Sequence, residues 1–309
     1  MSSLSTISRT SGLYTTGKTK EFFFKLLIYA IMLVVFFVTL FPFWTCLVGS
    51  LNDGFDYQKG GLFFFPRVFT LDNYKAVLAD DRILKSYVVT IFRTVIGTVL
   101  HIICTSIFAY AYSRKILKGK KFYMYFNLIT LYFGGGLIPF YMLLSGLGLI
   151  NSFLVYIIPG LVSFWHVIIM QTFFRDKSIE SMTESALVDG ANEYMIFWKI
   201  VMPLSKAILA AIALFVAVEH WNAYFDSMVF TTSSSLQTVQ VFLMKLIKFG
   251  EFKAGVDSSS AQEIIDKRGA NIETIKLATM MVATLPILVV YPFLQKYFVK
   301  GVMIGSLKG

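Results

Sequence analysis

A chain of 309 residues that is 56% hydrophobic and 17% aromatic, with only 15% charged residues, lies far outside the range of soluble globular proteins and reads as an integral membrane protein. Its net charge of +10 does not point to nucleic acid, because no Arg/Lys-rich run interleaved with aromatics occurs and the basic residues gather in loops on one side. The two cysteines, Cys46 and Cys104, both lie inside apolar runs and imply neither a disulfide framework nor a metal site.

Residues 1–21 form a Ser/Thr-rich tail with Arg9, Lys18 and Lys20. Within it, Gly12 to Thr19 satisfies the phosphate-loop pattern G-x-x-x-x-G-K-[ST]. That loop cradles phosphates only where a strand feeds it and a sheet-packed helix leaves it; here a polar tail precedes it and an apolar run follows, so no ATP binding by this chain is expected. The first apolar run is too long for a signal-peptide core and lacks a small-residue cleavage pattern, so it is expected to remain as an anchor.

Apolar run length predicts six spans, at Phe22–Val48, Tyr87–Ala111, Phe122–Leu144, Phe153–Phe174, Ala207–Met228 and Ala278–Phe298. Between the second and third lie Arg114, Lys115, Lys118, Lys120 and Lys121 with no acidic residue among them, which places that loop in the cytoplasm. Alternation then puts both termini inside. The expected organisation is a cytoplasmic tail at 1–21 and a six-span transmembrane domain at 22–309, with a long outer loop at 229–276. An amphipathic piece near Val239 to Ile247 falls in that outer loop.

The charged interruption at 175–206 is too polar for membrane core. Ser178 or Ser181 can cap a helix there, and Ser181 with Glu184 has the capping-box spacing. Ile179, Met182 and Ala186 then share a face, Gly190 ends the helix, and Tyr194, Phe197, Trp198 and Val201 share the face of a second one. Two short amphipathic helices at the membrane surface suit a grip on a separate soluble protein.

Glu184, Ala186, Asp189, Gly190, Ala191, Ile200 and Pro203 resemble the EAA loop of ABC importer permeases, with Ser185 where that family often has alanine. Phe69 to Tyr74, Ala109 to Arg114, Gly135 to Pro139, Trp221-Asn222 with Tyr224-Phe225, and the closing Lys296 to Gly309 are similar to the carbohydrate-importing branch, in the subgroup associated with oligosaccharide uptake. The resemblance covers roughly Phe22 to Gly309. It implies an all-α type I importer permease fold that moves a sugar or oligosaccharide by alternating access. The implied partners are a second homologous permease, two cytoplasmic ATPase subunits that bind the ATP and Mg, an extracytoplasmic solute-binding protein, and the lipid of a bacterial cytoplasmic membrane. By the same resemblance Glu184 pairs with a basic residue of the ATPase, Gly190 makes the turn, and no cofactor is bound by this chain. The rival readings are the same architecture carrying a peptide, polyamine or anion, and a membrane scaffold without an ATPase.

Polar and ionisable residues inside spans are costly and mark function by default. Arg93 and His101 lie in the second span, and Trp165 and His166 mid-way along the fourth. Glu219, His220, Trp221, Asn222, Tyr224 and Asp226 make the densest cluster, in the fifth. Aromatic faces meet the C–H surfaces of sugars while planar polar groups take their hydroxyls. Arg93, Trp165, Glu219, His220, Trp221, Asn222 and Tyr224 are therefore the substrate-path candidates, with Trp221 and Asn222 expected to face the lumen. The competing expectation has Arg93 and Asp226 snorkelling to the outer interface while the histidines and Glu219 join helices. Gly134, Gly135 and Gly136 with Pro139 interrupt the third span, and tight helix packing is the expected reason. The three histidines lie on separate spans without the i, i+4 pairing of a zinc site, and no nucleophile elbow occurs, so no catalytic residue is assigned.

Overall fold

A computed structural model describes residues 11–61, 64–251, 271 and 273–289. Among these the regular structure is helical apart from a single bridge between Asn52 and Phe69. Helix α1 runs Ser11–Ser50, so the phosphate-loop pattern at Gly12 to Thr19 is wound into a helix and its backbone amides form no anion nest. Past Lys25 it is apolar all round, and its most apolar stretch has none of its residues buried by the other described residues. Such a helix lies in lipid or against another chain.

Helix α4, Asp81–Ser113, is the axis of the fold, and α7 (Phe164–Phe174) and α11 (Lys206–Asn222) pack on it. Its buried face reads Ser86, Thr90, Arg93, Gly97, His101 and Thr105, a stripe of small and polar residues at helical spacing. Small residues let neighbouring backbones approach, and polar ones bond across the contact.

Among the described residues two helices, Lys20–Ser50 and Asp81–Ser113, are long and apolar enough to cross a bilayer unbroken. The third predicted span is broken into α5 (Lys120–Tyr132) and α6 (Leu137–Gly146), bent by 113°. Tight packing among the described residues is not the reason: a Cβ added at Gly134 or Gly135 would meet none of their atoms within 4 Å. The bend is made by Gly136 at φ +89°, a conformation other residues rarely adopt. The fourth predicted span is also not one helix. Two short 3₁₀ turns, Phe153–Tyr156 and Ile158–Gly160, precede α7 with a bend of 48°. Pro159 supplies no amide hydrogen there, which breaks the helical ladder although the sequence stays apolar. The fifth enters through a 79° bend at Ser205 and ends at Asn222, after which α12 takes Phe225–Phe230. Of the sixth, residues 273–289 are helical (α14), and the rest of the predicted span lies outside the described residues.

The amphipathic piece in the second long outer loop is helix α13, Val239–Glu251, with Val239 and Val241 buried; the loop from 252 to 270 lies outside the described residues. The first outer loop is folded tightly. It carries α2 (Gly54–Tyr57) and α3 (Asp72–Leu78), and the buried Asn73 stitches it: its amide donates to Ser50 O and Asn52 O at 2.9 Å each and accepts from Thr274 Oγ1 at 2.9 Å. Asn73→Ala strands three buried partners and is expected to cost about 2–4 kcal/mol. A lowered Tm with faster proteolysis between Ser50 and Ser86 is the expected readout in the purified protein.

Candidate functional site

Helix α8, Lys177–Val188, is capped by Asp176, whose carboxylate accepts from the Ser178 amide at 3.0 Å and hydroxyl at 2.6 Å. The capping-box pair Ser181 and Glu184 therefore sits inside the helix and does not begin it. At its other end Gly190 N–H donates to Leu187 O and Ala191 N–H to Ala186 O, with Gly190 at φ +81°; this is a Schellman motif, and it sets the turn. Asn192 caps α9, Glu193–Ile196, which continues through a π-turn at Phe197–Val201 into α10, Met202–Leu204. Pro203 explains the widened turn: its ring and missing N–H deny the α-helical bond four residues back.

The faces differ in detail from the periodicity. Ile179 and Thr183 are buried on α8 while Met182 is exposed; Ile196, Phe197 and Val201 are buried after the turn while Tyr194 and Trp198 are exposed. Ile179, Ile196 and Val201 join one apolar core with Ala109 and Tyr112 of α4, Phe164, Val167 and Met170 of α7, and Ile212 and Val216 of α11. The end of α4 also clasps the segment by charge. Arg114 pairs with Glu193 at 2.9 Å, the Tyr110 hydroxyl donates to Glu193, and Lys115 lies 2.6 Å from Glu180 and 3.8 Å from Glu184. The hydrogen bond and charge of Lys115 hold the Glu180 carboxyl below its usual range and raise the Lys115 ammonium in turn. On the outward side an apolar tip remains uncovered, with Val188 88% and Tyr194 75% exposed.

That same core reaches a cavity of about 620 Å³ among α4, α5, the break before α7, and α11. Phe164 and Val216 belong to both. Polar groups at the cavity are His101, Asn127, Thr130, Ser163, Glu219 and His220. His101 Nδ1 lies 2.6 Å from Gly160 O, so that nitrogen donates; with neutral rings its Nε2 then accepts from His166 Nδ1 at 2.9 Å. Beside them the His220 ring is seated on Gly97. A Cβ at Gly97 would stand 2.5 Å from His220 Nε2 and 2.7 Å from its Cε1. Gly97→Ala is expected to push that imidazole from its seat and cost about 1–3 kcal/mol. An unchanged Tm would show that the ring swings aside freely.

No protein-family model matches the chain. A permease of a polygalacturonan/rhamnogalacturonan transport system, YtcP of Bacillus subtilis (strain 168), is 35% identical over 94% of this chain and 100% of its own. The protein LplC of the same organism is 36% identical over 88% of this chain and 90% of its own. The chain belongs to the ABC importer permeases of the sugar-transporting branch. A bacterial ABC transporter involved in importing the acidic polysaccharide alginate has a crystal structure that matches with a TM-score of 0.80, at 29% identity, over 96% of this chain and 100% of that one. The permease is therefore a transport subunit and not an enzyme, and it is a multi-pass protein of the bacterial cytoplasmic membrane.

Of the predicted path residues of this permease, Glu219 and His220 line the cavity. Trp221 is buried elsewhere: its indole donates to Ala283 O of α14 at 3.1 Å and its ring packs on Tyr87. Asn222 donates to Val218 O of its own helix; Tyr224 is exposed and Trp165 is 58% exposed at the first turn of α7, and none of the three lines the cavity. Arg93 does not snorkel. It is 2% exposed, lies 4.5 Å over the Tyr156 ring, and forks onto both carboxylate oxygens of Asp226. Asn127, Thr130 and Ser163 were missed, although a polar side chain within an apolar run was the available signal. Glu184, Asp189 and Gly190 are exposed on the segment at 175–206, Ala186 and Ala191 half-buried against its core, and Pro203 exposed past the π-turn.

Proposed function

We propose that this permease imports an oligosaccharide by alternating access. It would pair with a second, homologous permease, take cargo from an extracytoplasmic solute-binding protein, and be driven by two cytoplasmic ATPase subunits that bind the ATP and Mg. In this reading the chain crosses the membrane six times with both termini inside, residues 1–21 form the tail, 22–309 the permease domain, and 229–276 the outer loop. Segment 175–206 is the coupling element. Glu184 and the exposed tip at Val188 to Tyr194 meet the ATPase, and Gly190 holds the two short helices at the angle that fits its groove.

The observation that carries the proposal is the unbroken core from Ile179 and Ile196 to the cavity walls Phe164 and Val216. Close-packed interiors transmit displacement instead of absorbing it. Closure of the ATPase pair would push α8 and α9, and α4, α7 and α11 would move with them. The cargo assignment is supported by the polysaccharide systems named for YtcP and for the alginate importer, and by hydroxyl, amide, imidazole and carboxylate groups converging on one cavity.

Co-purification tests the reading. Wild-type permease expressed with its candidate ATPase and second permease is expected to retain the ATPase, and hydrolysis to rise with an oligosaccharide-loaded binding protein. Glu184→Ala and Gly190→Asp are expected to lose that stimulation. A wild type that captures no ATPase would overturn the coupling assignment and favour a scaffold.

A further inference from the structure

Among the described residues lining the cavity Glu219 is the one carboxylate, and no lysine or arginine is among them. It is exposed to the cavity, and no hydrogen bond or ion pair holds its carboxylate among the described residues. Glu219 stands in the last turn of α11, mid-way along the predicted fifth span, and an unpaired carboxylate at that depth faces water, so Glu219 marks the hydrated wall of the path. Arg93, which donates to Ala223 O at the cavity's edge, is already committed: it is buried and forked onto Asp226. The remaining polar groups, His101, Asn127, Thr130, Ser163 and His220, add hydrogen-bonding capacity but no fixed positive charge.

We infer that Glu219 makes this half of the path selective for a neutral, hydroxyl-bearing sugar unit over a uronate. An ionised carboxylate accepts strongly from two neighbouring hydroxyls of a pyranose, which gives it a positive task with a neutral sugar. Against a uronate the same group brings two like charges together in a partly desolvated cavity with no cation between them, an arrangement that disfavours the wrong cargo. The inference rests on the importer reading above and narrows its cargo. It also separates this chain from what similarity alone would carry over, since two of the similar proteins are named for acidic polysaccharides.

The test uses the assembled transporter in nanodiscs without its binding protein, so that the cavity and not the receptor does the selecting. Saturation-transfer NMR would compare galactotriose with trigalacturonate for wild type, Glu219→Gln and Glu219→Arg. The wild type is expected to favour galactotriose about tenfold, and added salt to narrow that preference. Glu219→Gln should bring the two sugars close to parity, and Glu219→Arg should reverse the order. Equal or stronger trigalacturonate binding by the wild type, or a ratio unmoved by either variant, would overturn the inference. No signal for either sugar would overturn it as well. Each variant's ATPase capture and stimulated hydrolysis is measured in parallel: if those persist while the sugar ratio does not respond, only charge selection fails, whereas their absence in the wild type removes the importer reading itself.

Discussion

Asp226→Ala is expected to be the most damaging single change in the described part of the chain, costing about 3–5 kcal/mol, because it leaves a buried guanidinium without its counter-charge. The Arg93 guanidinium is itself buried, and of the pair only the Asp226 carboxylate, 25% exposed, meets solvent. Arg93 is 2% exposed, its Nε has no partner, and apart from the two carboxylate bonds its remaining contacts are a 3.3 Å bond to Ala223 O and the Tyr156 ring. Tyr156 is itself fixed, its hydroxyl lying 3.0 Å from Ser227 Oγ and donating to Leu236 O at 2.6 Å. Loss of Asp226 therefore disturbs α4, α12 and the turn at Phe153–Tyr156 together. The expected readout is loss of monodisperse protein, or a large fall in Tm. The double variant Arg93→Met with Asp226→Leu removes both charges and is expected to recover most of that loss. A double variant no better than the single one would mean that the pair also serves the transport cycle.

The second large effect is expected at the tip of the segment at 175–206, proposed above as the coupling element. Val188 is 88% exposed, and Leu187 and Tyr194 of the same segment are exposed with it, apolar side chains that the other described residues leave uncovered. Val188→Asp leaves the buried residues Ile179 and Ile196 untouched, so folding should be spared. In the proposed reading it places a charge at the centre of the ATPase contact and is expected to weaken capture by about 2–3 kcal/mol, close to a hundredfold. Unchanged Tm with lost capture is the expected pair of results. Full capture by Val188→Asp would move the docking face elsewhere on the segment.

Much of this was legible because local chemistry left few alternatives. Gly190 had to turn the chain, since the Schellman end needs positive φ, and Asn73 belonged to a motif whose role is now visible as three buried hydrogen bonds. Cap and face were harder to place. Asp176 and Ser181 both offer an oxygen to an amide, and only the start of the helix decides between them; Met182 and Thr183 are neighbours, and a small rotation exchanged which is buried. The broken spans hid for another reason. Run length measures hydrophobicity, and residues 153–174 stay apolar straight through the break at Pro159.

Long-range pairing was out of reach of any local signal. Arg93 and Asp226 are 133 positions apart, and each alone looks like a residue reaching for the interface. Trp221 and Glu219 lie two positions apart on one helix, and the same aromatic-polar cluster that marked both gave no sign that one would face the cavity and the other α14.

The central claim, that displacement of the segment at 175–206 is carried through the core to the cavity, is most directly tested by thiol labelling at Ser163. The assembled transporter would carry Cys46→Ala, Cys104→Ala and Ser163→Cys, and labelling rate by a polar maleimide would be followed with and without Mg-ATP under conditions that block hydrolysis. A rate that changes severalfold on nucleotide binding, and does not change when Val188→Asp is added, is the predicted result. A nucleotide response that survives Val188→Asp with the ATPase still bound, or a rate indifferent to nucleotide in the otherwise unaltered complex, would contradict it.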